Sequence, residues 1–259
     1  MKLSVITVSL NCQDTIAATA RSVCEQSYPD IEYLVIDGGS QDGTLAQIEL
    51  YRRRIATVLS EPDQGLYDAM NKGIARATGD VIGFLHAGDL YADSEVLARV
   101  AEVFTDDAVA ACYGDLVYVD AQDQHKITRD WRAGLLTRCK FYYGWMPPHP
   151  TFFVRRRHYQ QYGGYRLDLG TAADYELMLR YLLRHRLQAV YLPRLLVRMR
   201  SGGASNCSFG SRLRAHCMDW KAWLVNRLLP LPWTVPCKPL RKLAQWWLPV
   251  AMRQKSTRL

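Results

Sequence analysis

The sequence predicts an α/β fold, a mostly parallel sheet with helices on both faces. Three observations predict it. Short apolar runs rich in β-branched residues alternate with helix-compatible segments from the N-terminus to about residue 104. The runs are nearly continuous in apolarity, as strands covered on both faces are. Each run leads through a polar loop into a helical segment, the order that parallel strands with crossover helices need.

The elements follow in order. LSVITVSL is the first strand, and a helix is expected over about residues 15–26, closed by SYPD. EYLVID is the second strand, followed by the turn GGSQDGT and a helix from Leu45 to about Arg54. ATVLS is the third, followed by the loop EPDQG and a helix from Tyr67 to Ala77 that Thr78-Gly79 stops. DVIGFL is the fourth, followed by HAGD and a helix from about Ser94 to Phe104. Beyond Phe104 the regularity weakens. ACYGDLVYVD and HPTFFVRR read as strands, the stretch between them up to about Met146 has no clear period, and YGGYRLDLGTAADYELMLRYLLRHR is a glycine-bearing loop leading into a helix.

The chain has 259 residues and is 49% hydrophobic, enough for a sizeable core. Its net charge of +8 is unevenly placed. Residues 1–193 hold 20 Lys and Arg against 24 Asp and Glu, whereas residues 194–259 hold 13 Lys and Arg against one acid, Asp219. A basic segment suits a membrane surface, a nucleic acid or another polyanion. Seven cysteines without a C-x-x-C pair read as free thiols in a reducing cytoplasm. The N-terminus reads as a strand rather than a signal peptide, and no window has the roughly 18 apolar residues of a membrane-spanning helix.

In parallel α/β sheets, ligands bind beyond the carboxyl ends of the strands. The loops there are SLNCQD, DGGSQDGT, SEPDQG and HAGD, so Asn11, Asp37, Asp42, Glu61, Asp63 and Asp89 would share one rim. Taken alone, IDGGSQDGT is equally an ordinary strand-to-helix turn. Gly38, Gly39 and Gly43 lack the G-x-G-x-x-G spacing of dinucleotide sites, and no P-loop motif occurs. Asp174, in GTAADYELMLR, on its pattern alone caps its helix or favours the N-terminal dipole.

Together, QSYPDIEYLVIDGGSQDGT, AMNKGIARATGD and VIGFLHAGD resemble family 2 glycosyltransferases, which have the GT-A fold, over roughly residues 1–200. EPDQGLYDAMNKGI and FLHAGD look like a subgroup that builds bacterial capsule, colanic acid and O-antigen. The resemblance implies a Rossmann-like, mostly parallel sheet in a domain over residues 1–205, with a nucleotide-sugar-binding part at about 1–105 and an acceptor part at about 106–205. It implies an inverting enzyme of hexosyltransferase type that moves a sugar from a nucleotide-sugar to a polyprenyl-linked saccharide. Thr7, Asn11, Asp37, Gly38, Asp63, Asn71, His86, Ala87, Gly88, Gly202 and Gly203 fall at donor-binding positions. Asp174 falls at the base position and His149 at an acceptor contact, a histidine that can equally be structural. Gly38 stands where many members carry a second acid, and of the D-x-D-D metal cluster only Asp89 remains. One carboxylate can still hold Mg²⁺ or Mn²⁺ if diphosphate oxygens and water complete the shell. His86 is then a second ligand, a hydrogen-bond donor to phosphate or a loop filler, and metal-independent transfer stays open. The glycine loop SGGAS either closes over the diphosphate or is a plain connection.

Residues 206–259 form a basic, Trp-rich, amphipathic helical tail with Leu240, Leu243 and Trp247 in helical register and Trp223, Trp233 and Trp246 beside them. This composition favours the cytoplasmic face of the inner membrane over nucleic acid as its partner, with packing on the protein's own domain as the alternative. Two other whole-chain readings are an NAD(P) oxidoreductase, which the missing glycine fingerprint disfavours, and a non-catalytic sugar-nucleotide or membrane-binding module.

Overall fold

The computed structural model describes residues 1–201 and 209–244. Its elements are β1 (Leu3–Ser9), α1 (Ile16–Cys24), β2 (Ile31–Asp37), α2 (Thr44–Glu49), β3 (Thr57–Ser60), α3 (Leu66–Arg76), β4 (Val81–Phe84), β5 (Leu90–Tyr91), α4 (Val96–Val103), β6 (Ala111–Val119), β7 (Ile127–Trp131), β8 (Phe153–Arg155), α5 (Arg156–Tyr162), α6 (Ala173–Met178), β9 (Ala189–Arg200), α7 (Phe209–Val225) and α8 (Thr234–Ala244). Helix α6 runs on through a π-helical turn, Leu179–Arg184.

The strands form one sheet in the order β3-β2-β1-β4-β8-β6-β9-β5, with β7 added on β6. The first four are parallel to one another, as expected from the alternating sequence. Strand β8 then joins antiparallel to both β4 and β6, and β9 returns parallel to β6. All seven residues of β1 are buried. Leu3 and Val5 pack on one face of the sheet and Ile6 and Val8 on the other, the period-two arrangement that divides the core into two layers. One layer lies under α1 and α4, and the other holds Ala69 and Met70 of α3, Tyr175 and Leu177 of α6, and Trp223 of α7.

The stretch before Met146 that lacks a clear period contains β7 and a 3-10 turn, Arg138–Tyr143. In HPTFFVRR only Phe153–Arg155 is strand, and Arg156 already begins α5. A cavity of about 510 Å³ opens beside Met1, Asp80, Phe104 and Arg156. It lies where β1 and β4 begin and so at the end of the sheet opposite the polar rim.

The tail reaches back onto the body. Trp223 is fully buried and its indole N–H donates to the Tyr175 hydroxyl at 2.9 Å. Asn226 donates to Glu176, and Lys238 bonds Asp219 at 2.6 Å while its ammonium stands 3.6 Å from the centre of the Tyr175 ring. Trp223 is therefore a core residue and not an interfacial aromatic. The expected positions Gly202, Gly203, Trp246 and Trp247 lie outside the described residues. Among the described residues no helix is long and apolar enough to cross a membrane.

Candidate active site

The parallel register sets Ser9, Asp37 and Ser60 side by side at the carboxyl ends of β1, β2 and β3. Asp37 is fully buried there. Its Oδ1 accepts from the Ser9 and Ser40 hydroxyls, and its Oδ2 from the Gly39 and Ser40 amides and the Ser60 hydroxyl, at 2.5–3.1 Å. Burial raises the carboxyl's pKa, but bonds from Ser40, Ser60 and Ser9 outweigh it and leave the pKa lowered. Asp37 is thus the anionic hub of its loop. Asn11, at φ 45°, ties two rim loops together by accepting from the Gln41 amide and donating its own amide to Ser40. A Cβ on Gly38 would lie 2.5 Å from Asp63 Oδ2, so the loop after β3 occupies the space an acid at position 38 would need. Asp63 Oδ1 holds the Gly65 amide.

Thr7 is corrected as a donor contact. It is fully buried, donates to the Leu85 carbonyl at 2.7 Å and accepts from the Tyr33 hydroxyl. Both ends of the Asn71 amide clamp the backbone of Tyr165 at 2.8 Å. The amides of Ala87 and Gly88 are held by the Val8 carbonyl and the Thr19 hydroxyl, which removes them as phosphate donors. Gly88 sits at φ 98°, the left-handed geometry that turns the chain toward Asp89.

Asp89 is 4% exposed. Its Oδ1 accepts from the Arg200 amide at 3.2 Å, and its Oδ2 has no hydrogen-bond partner among the described residues. Burial pushes its pKa up to about 7 against that single bond. A buried acceptor without a partner costs about 1–3 kcal/mol, which a cation at Oδ2 would offset. Among the described residues no group of three or more His, Cys, Asp or Glu side chains could jointly hold a metal, so Asp89 stands here as a lone carboxylate.

His86 stacks on His149 at 6.0 Å, with Phe84 6.1 Å from both rings. Burial, then the neighbouring His149, lowers His86 to about 3, and burial lowers His149 to about 4, so both imidazoles are neutral. His149 Nε2 bonds the Tyr165 hydroxyl at 2.7 Å, the structural alternative for this residue.

Asp174 occupies the first turn of α6, with its Oδ1 accepting from the Tyr175 amide at 2.7 Å. The Tyr67 hydroxyl hydrogen-bonds the same residue, and burial together with the Asp174 charge raises the Tyr67 phenol. Tyr118 joins the two acids. Its phenol is raised by burial first, Arg129 opposes this, and the charges of Asp89 and Asp174 both add to it. Tyr67, Tyr118 and Arg129 are the site neighbours that sequence reasoning missed. Tyr67 was visible inside EPDQGLYDAMNKGI, but Arg129 lies in the stretch without a clear period.

Comparison with known proteins gives the family and the fold. The family model for glycosyl transferase family 2 matches residues 4–163. An uncharacterized glycosyltransferase of Mycobacterium tuberculosis is 38% identical over 184 residues, 69% of this chain and 68% of the relative. A PGL/p-HBAD biosynthesis glycosyltransferase of Mycobacterium bovis is 32% identical over 180 residues, 68% of each chain. Among solved structures, S. aureus TarS 1-349 in complex with UDP superposes with a TM-score of 0.66 at 18% identity, over 86% of this chain and 66% of that one. A mannosyltransferase from Pyrobaculum calidifontis in complex with GDP-Man and Mn²⁺ gives 0.64 at 17% identity, over 98% and 79%. These likenesses carry the GT-A fold.

Proposed function

The chain belongs to glycosyl transferase family 2, and from that premise we propose that it transfers a sugar, with inversion, from a nucleotide-sugar to a polyprenyl-linked saccharide in bacterial surface-glycan assembly. The observation that carries this reading is the pair of acids Asp89, buried after β4 with an oxygen that has no hydrogen-bond partner among the described residues, and Asp174, in the first turn of α6, whose charges both reach Tyr118. The nucleotide lies along the rim of Asn11, Asp37, Gly38 and Asp63. Asp174 takes the proton of the acceptor hydroxyl as its oxygen attacks the anomeric carbon, and the nucleoside diphosphate departs from the opposite side. Asp89 Oδ2 is the oxygen that would hold a divalent cation, Mg²⁺ or Mn²⁺, and such a cation would supply positive charge against the diphosphate.

Asp174→Asn is expected to lower kcat by roughly 10²–10⁴ while leaving donor affinity in place, the range for loss of a general base. Turnover near the wild-type rate would remove Asp174 from the base role. Binding of UDP-, GDP-, dTDP- or CMP-sugars, measured by calorimetry with Mn²⁺ and with EDTA, names the donor and tests the cation. The second reading is a nucleotide-sugar-binding module without turnover, and the lone carboxylate favours it. Donor binding with no transfer to any lipid-linked acceptor would support it.

The same reading places the enzyme on the cytoplasmic face of the inner membrane. Exposed Leu229, Trp233 and Leu240 beside the exposed Arg241 support this placement.

A further inference from the structure

Arg129 is a guanidinium without a counter-ion among the described residues. It lies on β7 directly across from Tyr118 of β6, so the two side chains share one face of the ribbon. The guanidinium carbon stands 4.1 Å from the centre of the Tyr118 ring and 5.6 Å from that of Trp131. Nη2 reaches the Tyr118 hydroxyl at 3.4 Å, a long bond. Nε is buried and has no hydrogen-bond partner among the described residues. The described arginines deeper in the fold differ. Arg155 is held by the carbonyls of Phe104, Asp106 and Val109, and Arg180 by Glu176. A half-buried cation with an unpartnered N–H is costly unless an anion completes it.

Its surroundings say where that anion would sit. Tyr118 pairs with Met199 in the parallel register, and the next pair is Val119 with Arg200, whose amide bonds Asp89 Oδ1. Thr128, the neighbour of Arg129, touches Ser201 at 3.0 Å. Arg129 therefore stacks on the Tyr118 ring, and the charges of Asp89 and Asp174 both reach that ring's phenol. Two carboxylates already stand here. A departing diphosphate adds further negative charge, and a cation on a single carboxylate is a thin counter to it. A planar guanidinium supplies a fixed positive charge and paired donors matched to phosphate oxygens.

We propose that Arg129 binds the diphosphate of the nucleotide donor, with Tyr118 holding its guanidinium toward the Asp89 side of the site. The proposal rests on the glycosyltransferase reading above. Its shared chemistry is a phosphate oxyanion, which a lipid-phosphate acceptor would also offer.

The test is calorimetric titration of the full chain with UDP and GDP, with the matching nucleosides, and with a short-chain isoprenyl phosphate, for wild type, Arg129→Met and Arg129→Lys. Arg129→Met keeps the apolar stem over Tyr118, and unfolding curves check that the variants are folded. The expected result is nucleoside diphosphate binding weakened roughly 10- to 100-fold in Arg129→Met, the loss of one or two charge-assisted hydrogen bonds. Nucleoside binding should be unchanged and Arg129→Lys should recover part of the loss. Equal diphosphate binding by wild type and Arg129→Met overturns the proposal and leaves the enzyme reading standing. Weakened binding of isoprenyl phosphate alone overturns the donor assignment in favour of the acceptor. Failure of the wild type to bind any nucleoside diphosphate or nucleotide-sugar overturns the underlying reading and the proposal with it.

Discussion

At the scale of single residues, Asp37 couples acidity to loop structure. Five donors converge on its two oxygens, and they hold its pKa below that of the same carboxyl in the unfolded chain. A depressed folded pKa adds stability above the unfolded value and loses it as pH falls through the folded one. Stability measured by urea unfolding should therefore drop as pH falls below about 4, the unfolded range for Asp. Asp37→Asn should flatten that drop while lowering stability at pH 7 by about 1–3 kcal/mol, because donors that face Asp37 would lose an acceptor. An unchanged acid limb in the variant would remove Asp37 from this role. The sequence showed that the rim was polar, since acids, amides or glycines occur in all four loops. It did not show which acids face inward. Position 38 illustrates why: its glycine is explained by Asp63, which lies far along the chain and reaches the same space from the loop after the next strand.

At the scale of elements, β1 to β4 were legible because each is a continuous apolar run whose pairing follows from the order of the chain. Strands β5 and β7 were not. They have two and five residues, and their burial depends on partners in β9 and β6 rather than on their own pattern. Helix α6 was visible as a helix, yet its use as a junction was not. Glu176, 1% exposed, forms a two-point ion pair with Arg180 at 2.9–3.0 Å and also accepts from Asn226, in the turn that ends α7. Arg180 in turn donates to the carbonyls of Tyr162, Gly163 and Gly164. Removing one partner of a buried pair costs about 3–5 kcal/mol because the other charge stays buried. Glu176→Gln is expected near the low end, about 3 kcal/mol by urea unfolding, since the three carbonyls still hold Arg180. A loss under about 1 kcal/mol would show that α6 and α7 do not depend on this pair.

At the scale of the whole molecule, the tail serves two faces. Its inner face is fixed to the body by Trp223, Asn226 and Lys238, and the Thr234 hydroxyl donates to the Tyr142 carbonyl at 2.8 Å. Its outer face exposes Leu229 (81%), Trp233 (46%) and Leu240 (61%). Trp233 stands at the entry to α8 and Leu240 within it, two turns further on. Lysine and arginine dominate this end of the chain, so the apolar residues are framed by positive charge, the combination that binds anionic headgroups. Deleting the tail would also strip packing from Tyr175 and Tyr142, so point changes on the outer face separate membrane contact from folding. The double variant Leu229→Ser, Trp233→Ser is expected to unfold like wild type. It should lose most of its co-sedimentation with vesicles of anionic phospholipid, and raised salt should weaken wild-type binding in the same assay. Retained vesicle binding in a folded double variant would remove this face as the membrane contact, whereas binding unaffected by salt would show that the positive charge of the tail has no part in it.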